Sequence, residues 1–97
     1  MADDASVARP VSPNLKRKCE TPEQALGAVI TDLRTKRGWG YVYVSGKVGC
    51  DPSYLNGIEH GKHNPSLKLL LAIADLHGVK LSQLMAAAER KHLKARK

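Results

Sequence analysis

Phenylalanine is missing from this 97-residue sequence, and the other aromatics amount to one Trp and three Tyr. A core must therefore be assembled from Leu, Ile, Val and Ala, which suits packed helices better than a β-sandwich. Cysteine is nearly as scarce. Cys19, in a polar leader, and Cys50 are too few for a secreted disulfide framework, and nothing in the sequence resembles a signal peptide, so a reducing cytoplasm is the expected setting. Long apolar runs are also lacking: the longest, Leu69 to Ala74, falls far short of the roughly 20 residues a membrane span requires, and no membrane role is expected. At this length the chain makes one small domain with a limited core and no room for a large enzyme cleft, and dimerisation would be a natural supplement.

What the sequence does have is positive charge, +7 in all, unevenly spread. Residues 1–20 carry four Lys/Arg against three Asp/Glu, residues 21–88 seven against five, and residues 89–97 five against one. The excess points to a polyanionic partner, but most of it lies in the last nine residues, where lysines and arginines are often simply solvated. These shifts divide the chain into a polar, basic arm (1–20), a folded domain (21–88) and a basic C-terminal tail (89–97). The arm lacks periodicity, and its Lys16, Arg17 and Lys18 read either as a solvated leader or as a strand that follows a phosphate backbone or minor groove.

Within the domain the periodicity is helical. Thr21 and Gln24 have capping-box spacing with Pro22 between them, and Leu26, Val29, Ile30 and Leu33 recur at i, i+3, i+4, i+7, which predicts a first helix ending at Arg37 before Gly38. Residues 38–49 are rich in Val, Tyr and Gly and lean by propensity toward a strand or hairpin. The flanking pattern favours a helix over Tyr41–Val48, with Val44 and Val48 on its inner face behind Trp39. A later helix starts at Asn64 or Ser66, with Pro65 near its first position, and ends at Gly78. Its many leucines predict the buried centre of the bundle. A last helix runs from Leu81 through Leu84, Met85 and Ala88, with an apolar edge that expects cover from a second subunit or from the first helix. The fold class expected is all-α, a compact bundle of five short helices.

The stretch Cys50–Lys62 stands apart because it reads as a short capped helix with a free outer face. Asp51 is an N-cap, Pro52 fits the first helical position, and Gly61 supplies a left-handed stop. Leu55 and Ile58 form the inner side. Pro52, Ser53, Asn56, Gly57 and His60 remain on the outer side, small or hydrogen-bonding, as entry into a DNA groove requires. The enzymatic alternative has little to work with. Cys50 and the pair His60 and His63 fall on different sides of the helix, and as a zinc site the three lack a fourth ligand at recognisable spacing. No catalytic residue, metal or cofactor is expected.

The ordered set of motifs resembles the Cro and phage lambda repressor-like family of helix-turn-helix DNA-binding domains. It consists of Leu33-Arg34 with Lys36-Arg37-Gly38, Gly49 in the turn, Ser53-Tyr54-Leu55, Ile58-Glu59 with Gly61-Lys62, Asn64-Pro65-Ser66-Leu67 with Leu70-Leu71, and Gly78-Val79 with Leu81 and Leu84. The resemblance covers about residues 24–86. It implies that the third helix lies in the major groove, with Pro52, Ser53, Asn56 and Gly57 on the reading face and Asn56 able to pair bidentately with adenine. Lys62, His60 and His63 match positions near phosphates, and Arg34 and Glu59 match a pair that ties the first helix to the third. Cys50 takes the place of a small apolar turn residue. Two departures matter. Tyr41 stands where many relatives have Gln, so its hydroxyl either meets a phosphate or serves in packing; Gly57 stands where relatives often carry a long side chain, which removes one base contact. By resemblance the partner is double-stranded DNA, bound by a homodimer joined through the C-terminal helix on a pseudo-palindromic operator, in the cytoplasm at the nucleoid. Small phage repressors and restriction–modification controllers are the model. The alternative is a helical protein-interaction module, such as an antitoxin or adaptor. On this reading Asn56→Ala relaxes sequence preference and barely alters stability.

Overall fold

A computed structural model of the chain describes residues 19–95. Five helices follow in order: α1 (Pro22–Lys36), α2 (Tyr41–Val48), α3 (Pro52–Glu59), α4 (Leu67–His77) and α5 (Leu81–Ala95), with no strand among the described residues. The all-α, five-helix expectation holds. Lys16, Arg17 and Lys18, and with them the reading of a basic arm, lie outside the described residues.

The start of α1 follows from its sequence. Gln24 N–H donates to Thr21 Oγ1 at 3.1 Å, and Thr21 N–H donates back to Gln24 Oε1 at 3.3 Å, so the capping box is closed in both directions. Ala25, Leu26, Ala28, Val29 and Ile30 are all buried. α1 touches α3, α4 and α5 and is the axis around which the bundle is assembled.

That role was expected of α4, and the expectation needs correcting. Only Ile73, Ala74 and His77 of α4 are buried, whereas Leu67 is 64% and Leu71 45% exposed. The reason is geometric: α4 lies on the outside of α1 with α2 and α5 as its other neighbours, and so small a bundle has no layer left to cover its far side. The start of α4 also differs from one of the two options. Ser66 is the N-cap, its Oγ accepting from Leu69 N–H at 3.1 Å, so Pro65 precedes the cap and is not in the first turn.

α2 is helical despite its strand-like composition. Val44 and Ser45 are buried, and Trp39, just ahead of the helix, packs on Tyr43 with ring centroids 5.1 Å apart and on His77 of α4 at 5.4 Å. Tertiary packing therefore overrides a propensity deficit of well under about 1 kcal/mol per residue. α5 packs Leu84 and Ala88 against α1, whereas Met85 of the same apolar edge stays exposed. The helix continues to Ala95, about two turns past Ala88, so much of the basic segment is helical. No single described helix is long and apolar enough to cross a membrane.

One packing contact has no counterpart in the expectations. A Cβ placed on Gly27 would meet Glu59 O at 2.4 Å and Ile58 O at 2.5 Å. The glycine lets α1 meet the end of α3 backbone to backbone, which sets the depth at which α3 sits.

Candidate nucleic-acid interface

The turn between α2 and α3 is closed by Ser45 O, which accepts from Gly49 N–H at 2.8 Å and Cys50 N–H at 3.0 Å, and Gly49 adopts a φ of +83° that favours glycine. Asp51 then caps α3. Its Oδ2 accepts from Ser53 N–H at 3.1 Å and also from the Ser53 hydroxyl. The Ser53 hydroxyl and N–H hold the Asp51 carboxyl below the usual carboxylate range.

The inner face of α3 is fixed by two kinds of contact. Leu55 and Ile58 are buried, each contributing about 1.5–3 kcal/mol relative to an exposed side chain. Beside them Glu59 is fully buried and fully engaged. It accepts from Thr31 Oγ1 at 2.9 Å and from Arg34 through Nε at 2.7 Å and Nη2 at 3.0 Å. The third guanidinium nitrogen, Nη1, donates to Trp39 O at 2.8 Å, and the guanidinium sits over the Tyr41 ring at 4.0 Å. Arg34 thus joins α1, the 37–40 connection, the start of α2 and the end of α3. Burial works against its charge, but the hydrogen bonds and charge of Glu59 outweigh that and raise its pKa above the ordinary value. The expected tie between Arg34 and Glu59 is present as a bidentate ion pair.

Tyr41 belongs to the same cluster. It is half-buried against the Arg34 guanidinium, and burial and the Glu59 carboxylate raise its pKa. Its stacking under the Arg34 guanidinium serves packing, one of the two roles considered for Tyr41.

At about 100° per residue, Ser53, Gly57 and His60 line the outward side of α3, with Asn56 at its edge. Ser53 is exposed, its hydroxyl proton directed to Asp51, so its remaining capacity toward a ligand is that of an acceptor. Asn56 is half-buried on the side of Tyr41, and Pro52 is half-buried at the first turn. His60 is exposed, with Nδ1 2.8 Å from Asn56 O. Lys62 is exposed just beyond the helix, its N–H donating to Gly57 O at 2.8 Å. Gly57 is the exception: it is buried, although it was expected on the open face. The imidazole of His63 lies over it and stacks on Tyr54, with ring centroids 4.8 Å apart and planes 17° from parallel. Sequence reasoning placed His63 near phosphates and gave Tyr54 no role; only the absence of a side chain at 57 hinted at a partner.

Burial and the neighbouring Asp51 push the Cys50 thiol up, away from the thiolate needed for nucleophilic attack. No group of His, Cys, Asp and Glu among the described residues has the geometry to hold a metal.

A short helix held by a tight glycine turn against its predecessor, with a polar outer face and a buried ionic anchor, defines a helix-turn-helix domain. The chain matches the model of the helix-turn-helix domain over residues 25–88, and it belongs to that family. It is similar to the HTH-type transcriptional regulator AnsR of Bacillus subtilis, 32% identical over 62 residues, covering 64% of this chain and 53% of that protein. Among solved structures it is similar to the restriction-modification controller protein C.AhdI from Aeromonas hydrophila, with 30% identity, a TM-score of 0.60, and coverage of 63% of this chain and 92% of that one. It shares the fold of the clp gene regulator ClgR from Corynebacterium glutamicum, with a TM-score of 0.71, 23% identity, and coverage of 78% and 82%. The chain spans about half the length of the regulators it matches by sequence.

Proposed function

We propose that this domain is a sequence-specific transcriptional regulator that lays α3 in the major groove of double-stranded DNA. The observation that carries the reading is the contrast between the two sides of α3: a buried, charge-anchored inner face, and an outer face of Ser53, Asn56, His60 and the His63 ring that offers hydrogen-bonding groups on a rigid support. Asn56 is the adenine reader, Lys62 follows the phosphates, and Pro52 and Ser53 lie nearest the groove floor. The similar regulators, AnsR and C.AhdI, support the same class. The domain works in the cytoplasm, at the nucleoid, as a homodimer joined through α5, whose exposed Met85 and Leu93 supply apolar surface for a partner helix. Two copies would then set their third helices about 34 Å apart and favour a pseudo-palindromic operator.

The test is a fluorescence titration against duplexes enriched from a random pool, at two salt concentrations. The expectation is a log K that falls with log salt, together with a surplus over scrambled duplex. A protein-interaction module is the competing reading, favoured by the exposure of Val42 (75%) and Tyr43 on α2. It predicts no surplus for any duplex.

A further inference from the structure

We propose that His63, from the loop after α3, is a base-facing, specificity-determining residue of the reading head, supplying in α3's outward row the side chain that Gly57 lacks. The proposal rests on the reading that α3 enters the groove.

By its place on the helix, one turn beyond Ser53, Gly57 belongs to the outward row of α3, yet it is buried. What covers it is a single ring. A Cβ at position 57 would lie 2.3 Å from His63 Cδ2 and 2.5 Å from His63 Nε2, so the imidazole occupies the volume where a side chain of residue 57 would begin. Three features bring it there. Gly61 turns the chain with a φ of +76°, Lys62 N–H donates to Gly57 O at 2.8 Å and folds the loop back along α3, and the Tyr54 ring, three residues before Gly57, stacks against the imidazole.

His63 as a whole is nevertheless exposed, with its ring over Gly57 in the outward row that Ser53 and His60 share. Among the described residues its nitrogens make no hydrogen bond. An imidazole offers one N–H donor and one acceptor, and the donor suits the N7 and O6 acceptors that guanine shows in the major groove. A ring held flat by stacking also loses less rotational freedom on binding than a long side chain extended from the helix. The reading surface is therefore Ser53, Asn56, His63 and His60, assembled from two segments of chain.

The experiment compares the full chain with His63→Ala, His63→Phe and Gly57→Ala. Each is taken through selection from a randomised duplex library, then titrated on the duplex that the unaltered protein selects and on a scrambled duplex of equal length, with melting curves recorded in parallel. His63→Ala is expected to cut the selected-to-scrambled affinity ratio about tenfold or more while leaving the scrambled affinity within twofold. His63→Phe keeps the stack and the melting temperature but loses the same discrimination. Gly57→Ala pushes the ring aside with His63 still present and relaxes preference at the same base positions. An unchanged ratio in His63→Ala overturns the proposal, as does an equal loss on both duplexes, which is the signature of a phosphate contact. A clear preference in the unaltered protein with changes at unrelated positions in His63→Ala and Gly57→Ala overturns it too. If the unaltered protein shows no preference for any duplex, the regulator reading itself has failed and takes the proposal with it.

Discussion

Removing the Glu59 carboxylate is the sharpest test of how the reading head is held. Glu59 is fully buried and accepts three hydrogen bonds, from Thr31 Oγ1 and from Arg34 Nε and Nη2. Arg34 is itself only 11% exposed in this pair, so solvent does little to screen it. In Glu59→Ala the guanidinium keeps its bond to Trp39 O but loses its counter-ion in a largely dry setting. Breaking a buried pair by removing one partner costs about 3–5 kcal/mol, and the surviving Trp39 contact places the expected cost near 3. A domain of this size has a total stability of about 5–15 kcal/mol and shifts its melting temperature by about 4–8 °C per kcal/mol, so a fall of at least about 12 °C is expected. Differential scanning calorimetry without DNA measures it. The double variant Arg34→Met with Glu59→Leu, which removes both charges and restores apolar volume, should recover most of the loss. A Glu59→Ala melting temperature within about 3 °C of the unaltered protein would refute the reasoning.

Three further outcomes are expected. Gly27→Ala should destabilise by about 1–3 kcal/mol, toward the upper end because the obstructing atoms are the backbone carbonyls of Ile58 and Glu59 and cannot swing away; urea titration checks it, and a stabilised variant would show that the helices do not meet there. His77 is buried with neither ring nitrogen hydrogen-bonded, and burial, with Arg37 adding to it and Glu59 opposing, lowers its pKa from the ordinary 6.5. Below pH 6.5 the unfolded chain therefore takes up a proton that the folded one resists, so stability falls with decreasing pH until the lowered folded-state pKa is reached; in His77→Phe, which keeps a ring against Trp39, melting temperatures from pH 8 to 5 should decline less, and parallel curves would remove His77 from the account. Asn56→Ala should lower discrimination at one base pair by about 1–3 kcal/mol in duplex titration, with an equal loss on scrambled DNA counting against a base contact.

Most of the frame was legible because its signals are local. A capping box, a proline after Asp51 and glycines at helix ends each act within four residues and bound the helices, although α2 followed only from its flanks, against its own strand-like composition. The ion pair of Arg34 with Glu59 was legible only through the family resemblance, since 25 residues separate its partners. The central helix was misread for a physical reason. A leucine-rich helix is apolar all round whether or not neighbours exist to cover it, and periodicity does not count neighbours. Leu67 and Leu71 are exposed because α4 has partners on one side. Gly27 went unnoticed because a glycine inside a helix gives no sign of what approaches it; its meaning lies in the carbonyls of residues 58 and 59.

Two glycines, Gly27 facing α3 and Gly57 within it, show why the outward face was the least legible part. Gly27 and Gly57 look alike in sequence, each a propensity defect of about 1 kcal/mol within a helix. Both are filled from elsewhere in the chain, one by backbone and one by an imidazole. Gly27 brings the far side of α3 close enough to α1 for Glu59 to reach both Thr31 and Arg34, while Gly57 leaves room for His63 on the side that faces outward. Asn56 lies between these two sides and is half-buried. The outward row of α3 is thus completed by a residue that the helix's own periodicity does not contain, because His63 reaches it from the following loop.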